Sequence, residues 1–288
     1  MKLLSGIAAL LVATIALLWL LRLHDSRAEN AEWARLQALQ PEAPERFSHD
    51  MLEGLPTPAQ RYFMFAIAPG TPLWPVAEIE MRGEFALGNK EAPGYQPMQA
   101  RQILAAPHGF LWAMHTEGGM PLSGSDSASW TRFRLLGLIP VARLGGDPDH
   151  RRSAFGRYVA EAVFWTPAAL LPGPGISWDP VDDQTARVTI RHSELSQSVD
   201  VTIGADGRPT MVTFQRWSNA NADKVHRLQP FGGYLSDFRE VSGYRLPFRV
   251  EAGNLFATED YFPFFKADIT SIRFPTASTD APESESLR

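Results

Sequence analysis

The chain has 288 residues, of which 44% are hydrophobic and 20% are charged, and its formal net charge is -5. This acidic balance provides no electrostatic footprint for nucleic acid, so no nucleic-acid partner is expected. The absence of cysteine excludes disulfides, thiolate catalysis, iron–sulfur clusters and cysteine-ligated zinc.

The first element is an apolar segment of the length that crosses a membrane. Residues 3–21 contain no charged side chain, and about 20 apolar residues span the hydrocarbon core as a helix. Trp19 lies near one end, where an indole favours the membrane interface. We therefore interpret residues 1–24 as a transmembrane anchor that holds the chain in a membrane through residues 3–21. A cleaved signal peptide is the competing interpretation, because a weak small-x-small match follows at residues 26–28.

The charges that flank this segment give conflicting signals about its orientation. Lys2 favours an N-terminus inside the cell, whereas Arg22, Arg27 and Arg35 favour the opposite arrangement. A short charged head before an apolar run resembles an export signal. We interpret the chain as a single-pass protein of the bacterial inner membrane with its domain in the periplasm, and the opposite orientation stays open.

Two helical stretches follow the anchor. Residues 25–50 are interpreted as a tether helix and a linker, because 28–40 is rich in strong helix formers. A further helix is predicted over 56–67, where Thr57 can cap the N-terminus and Pro58 suits the first helical position.

The hydrophobic period then changes to two, which is typical of half-buried antiparallel strands. It is present over 79–87, 110–114, 186–192, 199–203, 212–214 and 244–252. The Asp206-Gly207 pair between two of these runs predicts a hairpin. One phase of the alternation is expected to face a common interior, and its members are Phe85, Trp112, Met114, Val188, Val201, Phe214, Leu246 and Phe248.

One predicted helix, over 153–165, interrupts the strands. Its apolar residues follow helical spacing, while Arg157, Glu161 and Phe164 share the opposite side. Such a helix is expected to be covered on both sides, across or inside a curved sheet. The sequence therefore predicts a mainly β (α+β) fold, namely a curved antiparallel sheet or half-barrel with helices packed on it, preceded by one N-terminal transmembrane helix. A single β-rich domain is expected over 51–275 and a disordered tail over 276–288.

Several polar and aromatic residues are candidates for a binding pocket. Asp126 lies in a Ser-rich stretch, where ordinary turn chemistry is the alternative to a polar group inside a cavity. Arg157 and Glu161 form either a ligand-facing pair or a structural ion pair. The aromatic stretch 261–265 is interpreted as a loop that contacts a membrane, covers a ligand or covers the core. The seven ligand-pocket candidates are Trp112, Asp126, Arg157, Tyr158, Glu161, Trp165 and Arg216.

Motifs of known chemistry are absent from the sequence. The seven histidines are scattered, with no H-E-x-x-H pattern, and neither G-x-G-x-x-G nor a P-loop is present. The Ser-rich stretch lacks the G-x-S-x-G elbow of many serine hydrolases. We therefore expect no catalytic residue, no cofactor and no metal ligand. A hydrolase that uses Asp126 and Glu161 as paired carboxylates is kept as an alternative.

Three blocks of sequence carry a resemblance to a known family. They are Leu55-Pro56-x-Pro58-x-x-Arg61-Tyr62, Gly124-x-Asp126 and Arg157-Tyr158-x-x-Glu161-x-x-x-Trp165-x-Pro167-x-Ala169-Leu170-Leu171. Together they resemble a bacterial family of membrane-anchored proteins known as a domain of unknown function, over about residues 50 to 275. The third block is its most specific part. The family implies no established activity.

A weaker resemblance concerns architecture. The closing hairpins, at 199–209 and 237–247, resemble the half-barrel carriers of periplasmic lipoprotein sorting. That resemblance implies a curved sheet wrapped around helices and an acyl-chain ligand, although this chain lacks the lipoprotein cysteine. The leading hypothesis is a membrane-anchored envelope protein that binds a lipid or other apolar ligand in a half-barrel cavity. A structural or protein-interaction module without a ligand, and with an unknown partner, is the remaining alternative.

Overall fold

The fold is given by a computed structural model, which describes residues 2–275; the tail predicted over 276–288 lies outside the described residues. The helices are α1 (Lys2–Gln37), α2 (Thr57–Ala66) and α3 (Pro148–Trp165), with short 3-10 helices at His49–Leu52 and Pro167–Leu170. The strands are β1 (Ala77–Ala86), β2 (Tyr95–Ala105), β3 (Gly109–Thr116), β4 (Leu122–Ser127), β5 (Trp130–Leu135), β6 (Ile139–Gly145), β7 (Ile176–Pro180), β8 (Thr185–His192), β9 (Leu195–Ile203), β10 (Pro209–Ser218), β11 (Arg227–Val241), β12 (Tyr244–Asn254) and β13 (Phe262–Arg273).

All of these strands form one curved antiparallel sheet, which confirms the predicted fold class. The order is β6-β5-β4-β3-β2-β1-β13-β12-β11-β10-β9-β8-β7. The last strand, β13, therefore pairs with the first strand, β1, in the interior of the sheet. The outermost strands are β6 and β7, and α3 is the connection between them.

The alternation in the sequence gives the sheet its buried face. The eight residues predicted to point inward all belong to one hydrophobic cluster, in which Phe85 is partly buried and the other seven are buried. The cluster also contains α2 residues and most of α3, so these helices pack on the same, concave face. The predicted hairpin is present between β9 and β10, where Gly207 has a φ of +85° that favours glycine.

The two helices of the concave face differ from the predicted ones at their N-termini. Helix α3 begins at Pro148, five residues before the predicted start, because the Asp147 side chain accepts a hydrogen bond from the His150 backbone N–H at 2.8 Å. The prediction that Thr57 caps α2 is wrong. Thr57 is already helical, and Pro56 takes the cap position without a side-chain hydrogen bond.

Helix α1 runs without interruption from the apolar segment onto the folded domain. It is the one helix in the described part of the chain that is long and apolar enough to cross a membrane. Its C-terminal part packs on the convex face of the sheet, where Leu36 is buried in a second cluster with Val76, Ile103, Ala105 and Leu111. Residues 25–37 are therefore helical and attached to the sheet along their length.

An ion cluster fixes this part of α1 to β5 and β6. The Asp25 carboxylate has no exposed surface and accepts two hydrogen bonds from Arg143, at 2.5 and 3.1 Å. Arg132 approaches the same carboxylate to 2.9 Å, and Arg134 completes the group. Burial, and then the charge of Arg143, lower the pKa of both Arg132 and Arg134. A single buried carboxylate thus contacts three guanidinium groups, and the charge of Glu29 adds to the compensation of Arg132.

Candidate functional site

A cavity of about 370 Å³ lies between α3 and the concave face of the sheet. Its walls come from β1, β3 to β5 and β10 to β13, and α3 contributes one side. Four of the lining residues are charged, namely Asp126, Arg157, Glu161 and Arg216. The others are apolar residues or glycines, including Phe85, Leu87, Trp112, Leu122, Phe133, Phe164, Trp165, Phe214, Phe231, Phe264 and Phe265.

Helix α3 sets the position of the polar part of the cavity. Its apolar stripe, which includes Phe155, Val159 and Val163, is buried in the core. The opposite side carries Arg157, Glu161 and Phe164, which line the cavity. Because residues four apart lie above one another on a helix, Arg157 and Glu161 meet on this side.

Arg157 is the centre of a buried ion network. Its Nε donates to Glu161 Oε1 at 2.7 Å, and its Nη1 donates to Asp126 Oδ2, on β4, at 2.7 Å. The guanidinium also lies over the Phe110 ring, 4.6 Å from the centroid. Burial lowers the pKa of Arg157, but the charges of Glu161 and Asp126 outweigh it, and the pKa is raised. Arg157 is therefore a permanent cation that fastens α3 to β4.

Neighbouring polar side chains occupy the remaining oxygens of the two carboxylates. Gln102 Nε2, on β2, donates to Glu161 Oε2 at 2.6 Å. The Thr131 hydroxyl, on β5, donates to Asp126 Oδ1 at 2.5 Å, and it also lies 3.1 Å from His150 Nε2. Both carboxylates thus bind the same guanidinium and one further donor each. Acid–base catalysis by paired carboxylates requires environments that differ, and these two are alike.

Arg216, on β10, is the second cation of the cavity, and its surroundings are different. Among the described residues it forms no ion pair, and its guanidinium lies over the Phe231 ring, 4.9 Å from the centroid. Burial, and then repulsion from Arg157, lower the pKa of Arg216 to about 10. The group is still protonated at neutral pH, so the cavity contains a positive charge that lies against an aromatic ring and has no ion pair in the described part of the chain.

The lining also contains hydrogen-bond donors without acceptors. The buried atoms Trp112 Nε1, Trp165 Nε1 and Arg216 Nε have no partner within the described part of the chain. All three belong to residues that line the cavity. A buried donor that lacks an acceptor costs about 1–3 kcal/mol, so most such groups in folded proteins are paired. The lining is therefore suited to a ligand that supplies acceptor atoms.

The structure brings six of the seven candidate residues to this cavity. They are Trp112, Asp126, Arg157, Glu161, Trp165 and Arg216. Tyr158 differs from the expectation, because its ring packs against Phe110 and Phe155 and its hydroxyl donates to the Pro107 carbonyl at 3.3 Å. It is not among the lining residues.

Two segments have structures that the sequence analysis did not predict. The stretch 261–265, interpreted as a loop, is mostly the beginning of β13, and Phe264 and Phe265 line the cavity. The Ser-rich stretch around Asp126, for which turn chemistry was the alternative, forms β4. Two residues that donate hydrogen bonds to the carboxylates, Gln102 and Thr131, were not among the predicted site residues. The signal for Gln102 is its position in the alternation of β2, where it takes the same phase as the apolar residues Ala100 and Leu104.

No group of three or more His, Cys, Asp or Glu side chains that could hold a metal ion is found in residues 2–275. Two of the acidic residues at the N-terminus of α3 have other partners. Asp147 caps the helix, and Asp149 accepts a hydrogen bond from Trp217 Nε1 at 2.8 Å.

Comparison with solved structures finds similar chains at low sequence identity. One is a LolA superfamily protein from Nitrosomonas europaea, 9% identical, which covers 78% of this chain and 94% of that chain with a TM-score of 0.40. Another is a putative outer membrane lipoprotein-sorting protein domain from Vibrio parahaemolyticus, which is 11% identical. The match covers 72% of this chain and 88% of the Vibrio chain, with a TM-score of 0.37. Comparison with curated proteins finds no match.

The model of one protein family covers most of the folded domain. It matches residues 45–267, a span that includes β1 to β12, α2, α3 and the residues of the ion network. This match confirms the resemblance that the three sequence blocks carry. The chain belongs to the family of unknown function DUF6544.

Proposed function

We propose that this protein is a membrane-anchored binding protein that holds one apolar chain with an acceptor-bearing head group. The observation that carries the proposal is the cavity of about 370 Å³, in which apolar walls surround one unpaired cation and three unpartnered donors. A fatty acid or a single acyl chain with a carboxylate or phosphate has the complementary chemistry. The cavity volume lies in the lower part of the ~300–1,000 Å³ range of ligand pockets, which favours a single chain.

The two arginines of the cavity, Arg157 and Arg216, have different roles. Arg157 is occupied by Asp126 and Glu161, so it holds the wall together. Arg216 has no carboxylate and is the group that a ligand anion would pair with. A charge-assisted hydrogen bond in a dry cavity is about twice as strong as a neutral one, so the head group is expected to contribute strongly to affinity.

Ligand binding can be tested with the full-length chain in lipid nanodiscs. A fluorescent fatty acid is titrated into the wild type and into Ala252→Phe, which adds an aromatic ring to the cavity lining. Ala220→Phe, in an exposed loop, is the matched control. We expect saturable binding to the wild type and the control, and at least a tenfold loss in Ala252→Phe. Equal, non-saturable uptake by all three would refute the proposal.

We further propose that the folded domain lies in the periplasm and that α1 is its uncleaved anchor in the inner membrane. The long apolar helix supports anchoring, and the short charged head before it supports export. Because the chain has no cysteine, an Asp183→Cys variant in an exposed loop has a single thiol. We expect a membrane-impermeant maleimide to label this variant in spheroplasts. Labelling that requires lysis would place the domain in the cytoplasm.

A further inference from the structure

Antiparallel strands are connected at the two ends of the sheet, and the apolar helix leaves the domain at one of these ends. Four connections between antiparallel neighbours lie at the same end of the sheet, namely those at 87–94, 117–121, 136–138 and 255–261. We call these four connections the loop edge. The connection at 181–184, between β7 and β8, lies at the other end of the strands, which we call the opposite edge.

Helix α1 crosses the convex face from the loop edge to the opposite edge. At the loop edge, Arg22 Nη1 donates to the Gly137 carbonyl at 3.1 Å. At the other end, the Gln40 side chain, just after α1, makes two hydrogen bonds to the Val76 backbone, at 3.0 and 3.1 Å. The Asp25 ion cluster prevents this part of the helix from swinging away. The apolar residues 3–21 therefore extend beyond the loop edge.

The loop edge carries large apolar side chains that the domain does not bury. Leu136 is 66% exposed, Met120 is 50% exposed and Leu87 is 51% exposed. The carbonyl of Gly137, next to Leu136, binds Arg22, and Arg22 directly follows the apolar segment of α1. Leu136 therefore lies near the C-terminal end of the apolar segment of α1. A bilayer spanned by that segment would bury apolar side chains at this level.

The cavity reaches the same edge. Its lining includes Phe85, Ala86 and Leu87 at the end of β1, Leu122 at the start of β4, and Phe264 and Phe265 near the start of β13. These strand ends all adjoin the loop edge. The ion network of Asp126, Arg157 and Glu161 lies at a lower level of the sheet. The apolar walls of the cavity thus reach the loop edge, and Arg216 also lies near a strand end on that side, two residues before the end of β10.

We propose that the loop edge rests on the bilayer that α1 spans, and that the cavity takes up its ligand directly from that bilayer. This inference rests on the proposed function, because it requires both the anchor and an apolar ligand. The partner is the lipid surface itself. Acidic side chains, Glu91 and Glu117, are exposed on the same edge, so the contact is expected with zwitterionic lipid and without attraction by anionic head groups.

Depth-dependent quenching tests the membrane contact. The full-length protein is reconstituted into phosphatidylcholine vesicles that contain nitroxide-labelled lipid, and a fluorophore is attached to Leu136→Cys, Met120→Cys or Asp183→Cys. The Asp183 position is on the opposite edge and serves as the control. We expect strong quenching at positions 136 and 120 and none at 183. Equal, weak quenching at the three positions would overturn the proposal.

Transfer kinetics test the uptake route separately. Neither Leu136 nor Met120 lines the cavity, so Leu136→Asp with Met120→Asp is expected to leave equilibrium displacement of a fluorescent fatty acid unchanged. Its uptake from phosphatidylcholine vesicles is expected to slow roughly tenfold, because the two apolar side chains that would contact lipid are replaced by charged ones. An unchanged uptake rate would refute the route. Absence of binding in every variant, with quenching retained, would refute the proposed function and leave the membrane contact standing.

Discussion

At the scale of single residues, Arg157 contributes most to the definition of the cavity. It connects two carboxylates from different elements, and all three side chains are less than one-fifth exposed. A buried network of this kind is costly to break, because removal of one partner leaves an uncompensated charge. The network therefore holds α3 at a fixed distance from β4, and it forms one side of the cavity.

Replacement of Glu161 tests the network. Glu161→Ala is expected to lower the free energy of unfolding by about 3 kcal/mol, because Arg157 keeps only one of its two carboxylates in a buried setting. The control is Asp268→Ala, which breaks a pair with Arg249 in which the side chains are 65% and 64% exposed. This control is expected to change stability by less than ~1 kcal/mol. Urea unfolding followed by tryptophan fluorescence measures both, and equal losses would contradict the prediction.

Arg216 is expected to show the opposite relation between stability and function. Its folded-state pKa of about 10 lies below the ordinary value of 12.5, so burial of the charge lowers stability at every pH below about 10. Arg216→Leu is therefore expected to raise the free energy of unfolding by about 1–3 kcal/mol. The same variant is expected to lose most of its affinity for a fluorescent fatty acid. A less stable variant that still binds would show that Arg216 has a structural role instead.

At the scale of elements, the sequence predicts those strands whose two faces differ in polarity. The pattern over 244–252 matches β12, and the pattern over 186–192 matches β8. It fails for β4 and for the hairpin of β5 and β6, where polar side chains of the convex face have individual partners on α1. On β4, the Ser125 hydroxyl donates to Glu29 Oε1, on α1, at 2.8 Å. A strand with partners on both faces does not alternate, and a serine-rich one has the composition of a turn.

The candidate site was predictable to a similar extent. Helical spacing places Arg157 beside Glu161, so the sequence alone predicts that pair. The contact between Arg157 and Asp126 joins residues 31 positions apart, and no local pattern specifies it. The same holds for Asp25, whose three arginines are more than 100 positions away.

The attachment of α1 can be tested at Asp25. Asp25→Asn removes the only carboxylate among the described residues that forms ion pairs with Arg132, Arg134 and Arg143, which is expected to cost about 3 kcal/mol. Residues 25–37 are then expected to exchange amide hydrogens faster, and trypsin is expected to cleave at Arg27. The control is Glu32→Gln, whose ion pair is with Arg35 on the next helical turn. Identical exchange in both variants would show that the cluster is not what holds the helix.

At the scale of the whole molecule, helix α1 is a structural part of the domain. A chain that starts at residue 22 keeps the Asp25 cluster and Leu36, whereas a chain that starts at residue 45 loses both. The shorter chain is expected to be less stable, because a fully buried leucine alone contributes about 1.5–3 kcal/mol. Thermal unfolding of the two chains measures the difference. Equal melting temperatures would show that α1 contributes nothing to the stability of the domain.

The pairing of β13 with β1 has a consequence for biosynthesis. The N-terminal strand waits for a partner that begins 176 positions after its own end, at Phe262 following Ala86. At a synthesis rate of about 5–20 residues per second, this interval is on the order of 10–40 s. During that time one side of β1 has no neighbour, and an open strand edge is a template for aggregation. Folding of the completed sheet therefore depends on the last residues of the domain to leave the ribosome, and on whatever protects β1 until they arrive.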